Sequence, residues 1–339
     1  MGPAMQSVYN CFSQLLAGTA FVLPLLGFNL SSPALANSQT YPQKYVRIIV
    51  PFPPGGPNDF LARTIGRRLS EVWGQAVIIE NKPGAATQIG AEYVAKAAPD
   101  GYTLMVTSNA TSVLNPLLYK KLLYDPLRDF VPVSGIVSNY QALAANPTLP
   151  ANTVAELIAL AKSKPGELNY GTFGLGSSSH LDMEMFQKMA GINLAVIHYS
   201  GTGPALTDLI GGHIQLMFTN TSTVAPFAKA GKVKLLGVGS PKRLPQLPDV
   251  VTISENGLPG FDTQGWFGIF APSGTPPEIV MKINNDVQRV INEPAFRTNV
   301  LEPGMFEPML YSPEQFAKFI KSDAKKWQDT IGGANLHLD

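Results

Sequence analysis

Along the chain, short apolar runs rich in β-branched residues alternate with stretches in which apolar residues return every three or four positions. The first pattern predicts buried strands and the second amphipathic helices, so their alternation predicts a largely parallel sheet flanked by helices. The first strand signal covers residues 46–52. Beyond Pro53-Pro54-Gly55-Gly56-Pro57-Asn58, the positions Leu61, Ile65, Leu69 and Val72 recur at helical spacing until Trp73-Gly74. Further strands are expected over 76–80, Thr103–Ser108 and Gln141–Ala145, with a helix over 88–98 that Pro99-Asp100-Gly101 ends.

A second series follows, with helix 154–164, strand 168–171, helix 180–190, strand 195–199, helix 205–210, strand 214–219 and an apolar run at 233–239. Residues 243–260 are proline-rich and irregular, 266–271 reads as a strand, and two long helices over 277–300 and Pro313–Ile331 finish the chain. No short period repeats, which argues against a solenoid. At 339 residues the chain exceeds the roughly 250–300 residues that one core usually serves, so two α/β lobes are expected.

Charge narrows the function. Lys plus Arg (25) nearly balance Asp plus Glu (24), and charged residues make up only 14% against 45% apolar. Neither a disordered chain nor a nucleic-acid binder has that profile. Before Lys44, the first basic residue, runs an apolar stretch at 15–28, followed by Ala34-Leu35-Ala36. The stretch is too short and interrupted to span a bilayer of about 30 Å. With small side chains at Ala34 and Ala36 it reads as a signal peptide over 1–36, cleaved before Asn37. The missing basic n-region leaves an uncleaved anchor as the alternative. Cys11, the only cysteine, lies upstream of that stretch, so the exported chain would have no thiol for a disulfide, a metal or a nucleophile.

Four loops that follow strands hold the candidate chemistry, because helix N-termini and free amides converge at the carboxyl ends of parallel strands. In 53–59, stiff prolines and paired glycines let backbone approach a bound group closely, without the spacing of a phosphate loop. Asp59 there either caps the next helix or touches ligand. The loop Thr107-Ser108-Asn109-Ala110-Thr111 offers hydroxyls that either cap a turn or bind a polar ligand. The run 171–180 opens a helix with glycines and serines suited to an anion, the bland reading being a single serine N-cap. Residues 200–204 are the fourth loop.

Ser178, His180 and Asp182 name the members of a hydrolytic triad, yet on one helical turn their side chains diverge, and no Gly-x-Ser-x-Gly elbow is present. A serine hydrolase is therefore the remote alternative. His198 and His213 have no companions at metal-ligand spacing, so no metal and no cofactor is expected. Trp266, Phe267 and Phe270 read as core before they read as a ligand platform.

Taken in order, several stretches resemble one family. They are Val50-Pro51-Phe52-Pro53-Pro54-Gly55-Gly56 with Asp59 and Ala62-Arg63, Glu80-Asn81-Lys82-Pro83-Gly84-Ala85, and Ala97-Ala98-Pro99-Asp100-Gly101-Tyr102-Thr103-Leu104. Gly176-Ser177-Ser178-Ser179-His180-Leu181, Gly203-Pro204-Ala205-Leu206-Thr207-Asp208-Leu209 and Leu258-Pro259-Gly260-Phe261 complete them. From about Tyr41 to Asp339 the chain is similar to the receptors of tripartite tricarboxylate transporters, the Bordetella-uptake-gene type of periplasmic solute-binding protein.

The resemblance implies a type II periplasmic-binding fold with a ligand cleft between two lobes. The first lobe would comprise 37–140 and 261–339, the second 141–260, with crossovers near 138–142 and 257–265. Receptors similar to this one bind dicarboxylates, tricarboxylates, acidic amino acids, nicotinate-like or aromatic acids, and the resemblance implies a small dicarboxylate, tricarboxylate or aromatic acid as ligand here, integral-membrane transporter subunits as partners, and a monomer in the periplasm. A ligand-dependent co-receptor for signalling stays open on the same fold. Candidate ligand contacts are Phe52, Pro54, Gly55, Gly56 and Asp59 in the first loop, and Ser108 and Thr111 in the second. Phe173, Gly174, Ser177 and Ser178 come from the third, Tyr199, Gly201 and Thr202 from the fourth, and Asn220 from the strand end beyond. Two departures matter. Phe218-Thr219-Asn220 stands where many relatives read Phe-Asp-Asn, which removes a carboxylate that could face a ligand ammonium, and Phe173 adds bulk beside Gly174. Both lean towards an acid without an amino group.

Overall fold

A computed structural model describes residues 41–331; the expected leader and its cleavage point lie outside the described residues. The first sheet holds six strands in the order β11-β4-β10-β3-β1-β2: β1 Val46–Val50, β2 Val77–Asn81, β3 Thr103–Ser108, β4 Phe130–Asn139, β10 Gly265–Pro272 and β11 Glu307–Pro308. The second holds five in the order β7-β6-β8-β5-β9: β5 Gln141–Ala145, β6 Asn169–Thr172, β7 Ala195–His198, β8 Leu216–Asn220 and β9 Lys234–Val238.

The parallel expectation holds for β1 with β2 and β3, and for β6 with β7 and β8. It fails where the chain changes sheet. β10 runs antiparallel to both β3 and β4, and β5 antiparallel to β8 and β9. β5 and β10 each open just after a crossing, so the point of entry sets their direction instead of a helical crossover. One crossing is Tyr140, between Asn139 and Gln141. The other is 262–264, where the Thr263 amide donates to the Gly239 carbonyl at 2.8 Å and Thr263 Oγ1 accepts from the Gln141 amide at 3.1 Å.

Helices cover both faces of each sheet. In the first lobe, Val46, Ile48 and Val50 pack with Leu61, Ile65 and Leu69 of α1 (Pro57–Trp73). After α2 (Gln88–Ala95), the opposite face gathers Ile49, Met105, Trp266, Phe270, Phe316 and Trp327. Trp266 and Phe270 are therefore core, each worth roughly 1.5–3 kcal/mol of burial. In the second lobe α3 (Val154–Ser163) and α4 (Ser178–Ala190) cover one face through Leu157 and Phe186, joined by Phe261 from the later loop, while α5 (Thr202–Gly211) and α6 (Thr221–Lys229) cover the other through Leu209 and Val224, in one cluster with Met217 of β8.

Several elements differ from expectation. The helix expected over 277–300 stops at Ile291 (α7, Pro277–Ile291), because Pro294 disfavours helical geometry at Glu293 before it; short helical turns carry the chain to Gly304. β4 carries no strand signal because Pro132 and Gly135 interrupt it, yet β10 pairs along its length. α6 was not expected either, since it opens on Thr221-Ser222-Thr223 and contains Pro226. The final helix, α8 (Pro313–Ile331), runs as expected.

Candidate functional site

A cleft of about 270 Å³ lies where the crossings meet both sheets. The first lobe contributes Phe52 from the loop after β1, Pro57 and Asn58 from the start of α1, Ser108 and Asn109 from the end of β3, and Trp266, Phe267 and Trp327. The second contributes Phe173, Ser178, Asp182 and Asn220, and the crossings add Asn139, Gln141, Thr263, Gln264 and Gly265. The Asn139 amide donates to Asn220 Oδ1 at 2.8 Å and ties the two strand ends together.

Five of the candidate contacts meet here: Phe52, Ser108, Phe173, Ser178 and Asn220. The others stand outside the lining. Gly55 takes φ +89°, which suits glycine, and its amide donates to Asp59 at 2.9 Å. Gly56 has an ordinary extended φ of −82° and precedes α1, with Pro54 beside it in the same turn. Asp59 is buried and also accepts from Arg63 and Asn81, at 3.0 and 2.9 Å, so it braces the loop from behind. The Arg63 guanidinium, with the Gly55 and Asn81 hydrogen bonds, brings its pKa down to about 2. Thr111 is fully buried between Thr107 and Thr87.

In the third loop Gly174 turns at φ +132°, and its carbonyl accepts the Ser177 hydroxyl at 2.6 Å, which leaves Ser177 closing its own turn. Tyr199 donates to Asp208 at 2.7 Å, and burial first, then that carboxylate, pushes its phenol up to about 12. Gly201 and Thr202 form the start of α5.

Ser178, His180 and Asp182 do not assemble a relay. His180 Nδ1 accepts the Gly176 amide at 3.1 Å, its Nε2 faces Glu184 at 3.9 Å, and its ring meets His198 edge-on at 5.0 Å. Burial holds the His180 pKa below the ordinary histidine value. Among the described residues no group of three or more His, Cys, Asp or Glu side chains is placed to hold a metal ion.

The polar groups that sequence reasoning missed are the informative ones. Asn58 Oδ1, Gln141 Oε1, both Asp182 oxygens and Trp327 Nε1 are buried in the cleft wall without a hydrogen-bond partner, as is Thr219 Oγ1 in β8 nearby. Such groups are rare in folded proteins and require an explanation. Asp182 is the only ionisable side chain in the lining. Burial pushes its carboxyl well above the usual range, Asp262 and Asp323 push the same way, and Lys326 only partly offsets them. The signal for it was present: a carboxylate between Leu181 and Met183, on the buried face of α4.

Two α/β lobes with a polar cleft at their crossings define a solute-binding receptor. The family model of the tripartite tricarboxylate transporter family receptor matches residues 61–336. Protein BugT of Bordetella pertussis is 33% identical over 314 residues, which is 91% of this chain and 96% of that one. Among solved structures, Rpa4515 of R. palustris with adipate superposes with a TM-score of 0.76 at 37% identity, covering 86% of this chain and 97% of the other. MatC from Rhodopseudomonas palustris with bound malate gives 0.72 at 34%, covering 86% and 100%. The chain belongs to the tripartite tricarboxylate transporter receptor family and has the two-lobed α/β fold of its periplasmic binding proteins.

Proposed function

We propose that this receptor captures a small carboxylate in the periplasm and delivers it to the integral-membrane subunits of a tripartite transporter, binding it without chemical change. The observation that carries the reading is the interlobe cleft, whose wall holds unpartnered polar atoms from both lobes and from the crossings between them. The adipate and malate bound by the two similar structures support a carboxylate as the ligand class.

In this reading Phe52, Ser108, Phe173, Ser178 and Asn220 touch the ligand, and the Pro54–Gly56 turn contributes backbone from the rim. The lobes, 37–140 with 261–339 against 141–260, close by rotation about the crossings. Three charge-assisted hydrogen bonds at about 1.5–3 kcal/mol each amount to about 5–9 kcal/mol before ordering costs, which suits micromolar binding near −8 kcal/mol. Export follows from the expected leader.

A thermal-shift screen of carboxylic acids on the exported domain, followed by small-angle scattering with the best of them, tests the reading. Stabilisation by an acid recovered unchanged, with a smaller radius of gyration, is the expected result. A converted acid, or no shift with any acid, overturns it.

A further inference from the structure

The first lobe carries a second concavity, a groove of about 700 Å³ that shares no residue with the cleft. α8 forms one bank, presenting Ile320, Ala324 and Gln328 at successive turns. The other bank is the segment after β3: a π-helical turn (Ala110–Leu114), a short helix (Asn115–Leu118) and the chain on to Leu127. Leu117 and Leu122 make this bank apolar, and Leu127 lines it while 75% exposed. An apolar surface left open in this way marks an interaction site.

Positive charge prevails around the groove. Lys321 and Lys325, one helical turn apart, line the α8 bank, Lys120 lines the opposite one, and all three are exposed. Lys325 meets Asp329 at 3.4 Å, a pair open to water on both sides, which holds the ammonium weakly. Asp125 is the only carboxylate in the lining, and its Oδ1 already accepts the amides of Leu127 and Arg128 at 2.9 and 3.1 Å. Cations on both banks of an apolar floor call for an occupant with an apolar stripe between two rows of carboxylates. A fatty acid brings one carboxylate and leaves a bank unanswered. A second copy of this chain would set lysines against lysines across a two-fold axis. An acidic amphipathic helix has the required pattern, and Ile320 to Gln328 runs about 12 Å, enough to seat two of its turns.

Resting on the transport reading above, we propose that this groove is where an acidic amphipathic helix of the integral-membrane partner docks. Leu127 and Ile320 meet its apolar stripe, and Lys120, Lys321 and Lys325 meet the carboxylates on either side. The place suits a partner that must tell a loaded receptor from an empty one. Ser108 and Asn109 of the cleft lead directly into the π-helical turn of one bank, and Trp327 of the cleft stands next to Gln328 of the other. A helix seated in the groove therefore touches two of the elements that wall the cleft.

Two measurements on the full-length receptor in its own bacterium test this, with the acid selected by the thermal-shift screen. In the first, p-benzoylphenylalanine in place of Leu127 is photoactivated in cells and the linked peptide is sequenced by mass spectrometry. The expected product joins Leu127's position to a transporter membrane subunit, through a segment with Asp or Glu flanking an apolar helical stripe. A link between two receptors, a link to lipid or to any other protein, or no link overturns the inference. The second is uptake of the labelled acid. Lys321→Glu with Lys325→Glu should lower uptake at least tenfold while calorimetry gives the wild-type Kd within twofold, and Lys321→Arg with Lys325→Arg should keep uptake normal. Normal uptake in the glutamate pair overturns the docking site alone, and so does a matching loss of ligand affinity, which would place the effect in the cleft. If no acid binds, or if deleting the receptor leaves uptake unchanged, the transport reading fails as well.

Discussion

The amide of Gly55 donates to the carboxylate of Asp59 at 2.9 Å, across the turn that opens α1. That bond, with those from Arg63 and Asn81, explains why a carboxylate in a family motif is turned away from the cleft. It holds the loop that presents Phe52, Pro57 and Asn58 to the cleft.

Because the folded-state pKa of Asp59 is depressed to about 2, its contribution to stability is fully present above its unfolded value of about 4 and is lost as pH falls through about 2. Arg63 is half exposed, so solvent screening reduces that contribution to about 1–2 kcal/mol. Thermal melts of wild type and Asp59→Asn should differ clearly at pH 5 to 7 and converge towards pH 2. A gap that stays constant with pH contradicts the assignment.

The two tryptophans beside the cleft should respond differently to removal of the indole N–H. Trp266→Phe leaves buried Asp323 without its 2.7 Å donor, whereas the Trp327 N–H has no partner to lose. Urea denaturation should show Trp266→Phe less stable than Trp327→Phe by about 1–3 kcal/mol. Ligand affinity should fall in Trp327→Phe, because Trp327 lines the cleft and its buried N–H has no partner there.

A Cβ at Gly239 would lie 2.8 Å from Thr263 Cβ and closer still to its hydroxyl. Gly239 donates to the Gln141 carbonyl at 2.8 Å and so links both crossings. Gly239→Ala should cost about 1–3 kcal/mol by overpacking. The same substitution at Gly203, where a Cβ meets nothing within 4 Å, should leave the denaturation midpoint nearly unchanged.

Lys188 stands in the last turn of α4, where its place in the sequence marks only an exposed helix charge. Its ammonium instead donates to the carbonyls of Asp329 and Thr330 near the end of α8, at 2.6 and 3.3 Å, joining a second-lobe helix to a first-lobe one. Lys188→Ala should cost about 0.3–1 kcal/mol, the usual value of a cation at a helix C-terminus. The loss should shrink in high salt.

Ser178 lines the cleft at the first turn of α4. Ser178→Ala should remove one hydrogen bond to ligand, about 1–3 kcal/mol, read by calorimetry as weaker binding with an unchanged melt in the absence of ligand.

Local signals in the sequence determined much of this protein. The apolar run at Val46–Val50, the period Leu61, Ile65, Leu69, the glycine turn and the hydroxyl loops each lie within a few residues of chain, where backbone preference and amphipathic period act directly. Tertiary structure decided the rest. β4 is a strand because β10 pairs with it across more than a hundred residues of chain, despite Pro132 and Gly135. Asp59 and Thr111 turned inward because Arg63, Asn81 and Thr87 were there to satisfy them. Asp182, one more polar residue in a helical period, became a buried carboxyl in the wall of a cleft only when α8 and the second crossing closed over it. Whether a polar side chain is buried, and with what partner, depends on groups brought together from distant parts of the chain, and no local pattern records that.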